Sequence, residues 1–273
     1  MKTLLADRNH PFVAILVDAR DPMPEHNAAR ELARYLKRIT GATFPIRRSI
    51  PAGGPRVLAV GPGAAQTLGV NPSAFRGLGD EGFIWQTLSR GVALSGAPGA
   101  PRGTLYAVMT FLDEVLGCRW WTPEAESIPH RPSLSIPALR RRFVPCFEYR
   151  EILYRQNWEV PWCVHNRTNG LWEHRDSPGL PPEWGGHIKY AAFVHTFVGT
   201  LIPETQFETH PDWFAEMEGR RHQDQLCCTH PEVIAAVIRK TRALLIADPA
   251  ARIISISQKI GRASCRERVY HPV

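Results

Sequence analysis

Short apolar runs alternate with amphipathic stretches along the chain, and that pattern sets the expected elements. Phe12–Val17 (FVAILV) is a continuous apolar run of strand length, followed by a Pro- and Asp-rich turn over Asp18–Pro24. From Glu25 to Thr40 the apolar positions recur at helical spacing. Ala28, Leu32, Tyr35, Leu36 and Ile39 share one face, and Gly41 stands where a helix favours a left-handed C-cap. Arg56–Val60 predicts the next strand, and Gly82–Ser89 with Val92–Ser95 predicts a hairpin across Arg90-Gly91. Pro101–Leu116 predicts a second long helix closed by Gly117, and Ser133–Ile136 a further strand.

These elements predict an α+β domain over residues 1–137, a mixed sheet with two long helices. Residues 138–145, between two prolines and carrying three successive arginines, predict a linker. Beyond it Cys146–Leu153, Ala191–Val198 and Arg252–Ser257 predict three strands, and Thr229-His-Pro-Glu232 fits a capping box opening a helix to Ala247. Strands separated by helical segments predict β/α units with a parallel sheet. Three strands cannot close a barrel, so residues 146–258 predict only the first strands of one. The stretch 154–190, rich in Trp, Asn, Gly and Pro, is long enough to suggest a functional loop.

Composition narrows the class. With 273 residues, 44% hydrophobic and 22% charged, the chain is an ordinary globular one, which excludes disorder, collagen and coiled coil. At ~150 residues per domain two domains are expected. No run approaches the ~18 apolar residues of a membrane span, and MKTLLADRNHP lacks the apolar core of a signal peptide. Six cysteines without regular spacing predict no disulfide framework.

The net charge of +7 suggests nucleic acid until its position is considered. Residues 259–273 carry Lys259, Arg262, Arg266 and Arg268 against Glu267, so the rest of the chain holds 29 basic and 25 acidic residues, or +4. Within that tail Ile260–Val269 (IGRASCRERV) resembles the translation of sequencing-adapter read-through, and residues 259–273 are expected to be non-native. No nucleic-acid partner is expected.

Glycines and cysteines offer little chemistry. Gly61-Pro62-Gly63 follows a strand but lacks the third glycine of a dinucleotide loop. Gly96–Gly103 precedes a helix and is expected to be a Pro-rich turn, although a helix start can hold an anion. Cys227, Cys228 and His230, with His210 and His222 upstream, have the wrong spacing for a zinc site. Neither metal nor cofactor is expected.

Trp158, Trp162, Trp172 and Trp184 stand among Asn157, Asn166, Arg167, Asn169 and His174. Indole faces stack on sugar rings while Asn, Arg and His bond hydroxyls and carboxylates. The alternatives are a tryptophan-pinned loop covering the sheet and base stacking, the latter disfavoured by the corrected charge. Glycoside cleavage generally needs two carboxylates about 5–9 Å apart. Glu148 and Glu151 would turn to opposite faces of one strand, and Glu159, Glu173, Asp176 and Glu183 lie in the loop, so the catalytic residues stay unassigned. His195, late in an apolar strand, is the best single polar candidate, with a buried core histidine as the alternative.

Several segments carry a family resemblance. HNAARELARYLKRITG (26–41) and SGAPGAPRGTLYAVMTFLDEVLGCRWWTP (95–123) resemble the N-terminal domain of alpha-glucuronidases and related hexosaminidase-type glycoside hydrolases. PCFEYRE (145–151), HNRTNG (165–170), HTF (195–197), HPDWFAEMEGRR (210–221) and QLCCTHPEV (225–233) resemble uncharacterised bacterial proteins that place this domain ahead of a (β/α)8 barrel. The resemblance implies a carbohydrate-active protein with its catalytic carboxylates on later barrel strands, or a non-catalytic carbohydrate-binding relative. It implies that Arg150, Trp158, Asn166, Arg167 and His195 help line a site for polysaccharide or uronic-acid sugars. In those relatives SISQ usually continues Asn-Asp, where this chain has Lys259. Polysaccharide-degrading proteins are commonly exported, so a secretion signal ahead of Met1 is an open expectation. Oligomeric state is not readable from the sequence.

Overall fold

The computed structural model describes residues 2–50, 53–170 and 179–259. Contacts divide the chain into a unit spanning Met1–His187 and a second unit that begins at Ile188.

The first unit opens with β1 (Lys2–Asp7), which turns through Arg8 and Asn9 into β2 (His10–Pro11). Both turn residues have positive φ, the conformation of a type I′ hairpin. β3 (Val13–Leu16) leads into helix α1 (Met23–Thr40). The expected face of α1 is fully buried, and Gly41 at φ +80° caps it, donating its amide to the Lys37 carbonyl at 2.7 Å. β4 (Ile46–Arg47), β5 (Arg56–Val60) and the short α2 (Pro62–Leu68) follow. β6 (Phe83–Leu88) and β7 (Gly91–Gly96) form the expected hairpin. α3 (Gly103–Thr110) continues as a wider π-turn segment over Phe111–Val115 instead of running as one α-helix. β8 (Arg119–Trp120) pairs with β9 (Glu126–Ser127), and β10 (Leu134–Pro137) returns to β1.

The main sheet has the order β11-β6-β7-β5-β3-β4, where β11 is Arg140–Phe143. Its four neighbours β7, β5, β3 and β4 are parallel, and β6 and β11 run antiparallel at one edge. Alternation along β3 sends Val13 and Ile15 to the α1 and α3 side, and Ala14 and Leu16 to the α2 side. The unit is therefore a sheet between two helical layers.

Two sequence expectations fail here. The Arg140–Phe143 stretch, expected within a linker, is an edge strand. Its arginines disguise it, yet the Arg141 guanidinium lies over the Trp85 ring at 4.9 Å, a cation–π contact that lets a charged residue serve at a sheet edge. Cys146–Leu153 forms no strand. Instead the Arg150 carbonyl takes the amides of Asn169 and Gly170, and Phe147 and Leu153 stand exposed. α4 (Val160–Asn166) closes this unit's helices.

In the second unit β12 (Lys189–Tyr190) pairs in parallel with β15 (Ala251–Ile253). Between them lie α5 (Gln206–Thr209), the antiparallel β13 (Phe214–Met217) and β14 (Arg220–Leu226), and α6 (Pro231–Ala247). The expected strand Ala191–Val198 is irregular, because Val194 and His195 both take positive φ. The expected strand Arg252–Ser257 is regular only at its start.

Candidate functional site

Four of the five expected site residues lie in the first unit, and the fold commits three of them to internal partners. Arg150 donates NH2 to Glu81 and NH1 to the Phe147 carbonyl, each at 2.6 Å, and Nε to the Arg167 carbonyl at 3.1 Å. Arg167, with φ +60°, caps α4 and pairs NH2 with Asp113 at 2.9 Å. Asn166 donates to the Trp120 and Trp162 carbonyls. Trp158 ends a 3-10 turn over Arg155–Trp158 and is half-buried. Arg150, Asn166 and Arg167 thus form one brace around residues 147–170. The centre of that brace is the buried Glu81, which also receives Arg102 Nε and Asn169 Nδ2, each at 2.6 Å.

Beside this brace is a cleft of about 210 Å³ that sequence reasoning did not find. α1 contributes Arg34 and Tyr35, the β8–β9 hairpin contributes Trp120 and Glu126, and α4 contributes Trp162 and His165. The His165 ring stacks on Trp120 at 4.6 Å and 15°. Trp120 Nε1 donates to the Tyr35 hydroxyl at 2.7 Å, which donates to Glu126 at 2.8 Å. Burial raises the Tyr35 pKa, so the hydroxyl keeps its proton for Glu126. Burial works to raise the Glu31 carboxyl too, but hydrogen bonds from His165 at 2.9 Å and Arg34 at 2.6 Å hold it lowered. Trp120 and His165 were visible as residues; their stacking across 45 positions leaves no local signal.

His195 lies in the second unit, at the end of its parallel ladder. Beyond β12 and β15 the pairing continues: Ala191 N–H donates to the Ile253 carbonyl at 2.8 Å and Phe197 N–H to the Ser257 carbonyl at 3.0 Å. The first chain uses six residues for that advance and the second uses four, so two extra residues bulge out at Val194 and His195. Thr196 pins the far side, donating Oγ1 to the Ser255 carbonyl at 2.7 Å and accepting the Ser257 amide at 3.1 Å. His195 Nδ1 is 3.0 Å from the Gln258 carbonyl, which can only accept. In the neutral ring Nδ1 therefore carries the proton and Nε2 the lone pair. The ring is exposed, which answers the alternative of a buried core histidine.

The remaining motifs have internal uses. The Asp21 carboxylate lies against the glycine turn, its Oδ2 2.8 Å from where a Cβ on Gly61 would stand, so a negative charge already faces the position that the turn would offer to phosphate. His230 caps α6 through the Glu232 amide and binds Asp212 at 2.9 Å. Among the described residues no group of three His, Cys, Asp or Glu side chains is gathered as metal ligands would be. Trp172, Glu173, His174 and Asp176, and the tail beyond Lys259, lie outside the described residues.

The fold is similar to part of a solved structure. A structure titled "A novel family GH115 4-O-Methyl-alpha-glucuronidase, BtGH115A, with specificity for decorated arabinogalactans" is similar with a TM-score of 0.55 at 14% identity. The match covers 89% of this chain and 41% of that one, so this chain spans less than half of its length. No curated protein matches. The family model described as a domain of unknown function, DUF4838, matches residues 120–270, more than half of the chain, and the chain belongs to that family.

Proposed function

We propose that this chain is the N-terminal part of a carbohydrate-active, glycoside hydrolase-like protein acting on polysaccharide or uronic-acid-containing oligosaccharide. The first unit, which runs to His187, is its accessory domain, the second unit from Ile188 begins a (β/α)8 barrel, and the catalytic carboxylates follow Gln258 in the longer protein. The observation that carries this reading is the His195 bulge. It stands at the C-terminal end of a parallel ladder, where β/α folds bind ligands, in a chain whose fold resembles an alpha-glucuronidase. His195 Nε2 then accepts a hydrogen bond from a sugar hydroxyl while Nδ1 stays anchored on Gln258. Arg150, Asn166 and Arg167 contribute by bracing the first unit, with Trp158 as a stacking surface.

The test is turnover of aryl glycosides and glucuronoyl oligosaccharides by the product of the longer gene. His195→Ala is expected to lower kcat/KM about 100-fold, some 3 kcal/mol of transition-state stabilisation. No turnover and no sugar binding would remove the reading. A second reading, a non-catalytic carbohydrate-binding relative, draws on the commitment of Glu31, Glu81 and Glu126 to internal partners. Sugar binding without turnover by the longer protein would select it.

A further inference from the structure

We infer that the cleft between α1, the β8–β9 hairpin and α4 is a binding site for a single neutral pyranose unit. It belongs to the first unit and stands whether or not the longer protein is catalytic.

Size is the first argument. A volume of about 210 Å³ is room for about seven water molecules at ~30 Å³ each, below the ~300 Å³ at which drug-sized pockets begin. That is room for one sugar ring.

The chemistry of the walls is the second. Trp162 and the adjoining Pro161 and Pro123 offer apolar surface to the C–H face of a pyranose, while Glu126, Arg34 and Thr122 offer fixed acceptors and donors to its hydroxyls. These polar groups are held before any ligand arrives. Glu126 is fixed by Tyr35 and Arg38, and Arg34 is clamped on Glu31 with its guanidinium 4.4 Å over the Tyr35 ring. A rigid site loses little entropy on binding.

Charge selects the class of sugar. Arg34 is matched by Glu31 and Arg38 by Glu126, whereas Glu159 at the mouth is exposed and has no ion-pair partner among the described residues. The unmatched carboxylate favours hydroxyl donors and repels a uronate.

Saturation-transfer NMR and tryptophan fluorescence on the full chain test the inference, with methyl galactopyranoside, methyl glucopyranoside, glucuronate and choline as probes. The neutral glycosides are expected to bind with millimolar Kd, about ten times more tightly than glucuronate. Glu159→Ala is expected to narrow that preference to about twofold, and Trp162→Phe, which keeps an aromatic ring but shrinks the stacking face, to weaken the glycosides about fivefold. Because Glu159 and Trp162 both line the cleft of the first unit, these shifts separate this site from the one at the bulge. No transfer to either glycoside at about 20 mM, tighter binding of choline or glucuronate, or equal affinity in both cleft variants would overturn it.

Discussion

Arg102 donates its Nε proton to Glu81 at 2.6 Å, and both side chains are almost wholly withdrawn from water. Such a pair is stable only when its other valences are met. Here Arg102 NH1 reaches the Gly185 and Gly186 carbonyls, and Glu81 also takes Arg150 and Asn169. The pair thereby ties the β7–α3 turn to residues 150, 169 and 185.

Glu81→Ala strands two guanidinium groups and an amide, so a loss of about 3–5 kcal/mol of unfolding free energy is expected. Urea titration at neutral pH checks it. Arg150→Ala, removing a partner with a quarter of its side chain exposed, is expected to cost less, about 1–3 kcal/mol. Equal losses from the two would show that Glu81 does not organise the brace.

Burial raises the Glu25 carboxyl to about 7, with the Asp21 charge adding to the effect and Thr104 opposing it. A raised carboxyl holds its proton in the folded state after the unfolded state has lost it. Stability therefore falls as pH rises from about 4.5 to about 7 and is flat above, by about 3 kcal/mol at most. Glu25→Gln removes that slope. It is expected to stabilise the protein by about 1–3 kcal/mol at pH 8 and by little at pH 4.5. The difference between variant and parent in urea titrations at the two pH values isolates Glu25 from Glu31 and Glu126, whose lowered values act in the opposite direction. A gain that is the same at both pH values would refute the assignment.

Local periodicity carried most of the first unit. The face Ala28, Leu32, Tyr35, Leu36 and Ile39 is buried as expected, because an amphipathic helix has one low-energy way to lie on a sheet. β6 and β7 followed from their turn and their apolar content. What escaped was decided by partners far along the chain. Arg140–Phe143 is polar enough to suggest a linker, and its strand is held by partners remote in sequence, the β6 ladder, the rings of Phe83 and Trp85 beneath Arg141, and the Ala74 carbonyl bonded by Arg142. Arg150 and Arg167 had the chemistry of a carboxylate clamp, and nothing near them in sequence announced Glu81 or Asp113 as internal claimants. His195 was placed from its position late in an apolar run, but the bulge that orients it interrupts the very strand from which it was inferred.

Gly96 and Gly103 mark a contact that admits no side chain. A Cβ on Gly96 would lie 2.6 Å from the Thr104 amide and 2.7 Å from Gly103 Cα, all backbone that cannot give way cheaply. The Gly-rich stretch from 96 to 103 is thus a packing device that seats α3 on β7. Gly96→Ala is expected to cost about 2–4 kcal/mol. Gly99→Ala, at φ +76° with open space around it, should cost only about 1 kcal/mol of backbone strain. Thermal unfolding of the two variants side by side measures the difference, and similar losses would count against a steric origin.

Val194 at φ +32° is a β-branched residue in a region such residues avoid, and His195 at φ +52° follows it. Strain of about 1–3 kcal/mol at each such residue persists only when the surroundings impose it, here the Thr196 bonds on one side and the ladder at Ala191 on the other. Val194→Gly removes the Cβ penalty without touching the His195 ring, so a gain of about 1 kcal/mol in unfolding free energy is expected. The same change frees the bulge to relax, and sugar turnover or binding by the longer protein should fall even as stability rises. That opposition is what distinguishes strain held for orienting His195 from a poorly formed turn. If Val194→Gly lowers stability, or raises it with no effect on sugar affinity, the bulge is not a positioning device.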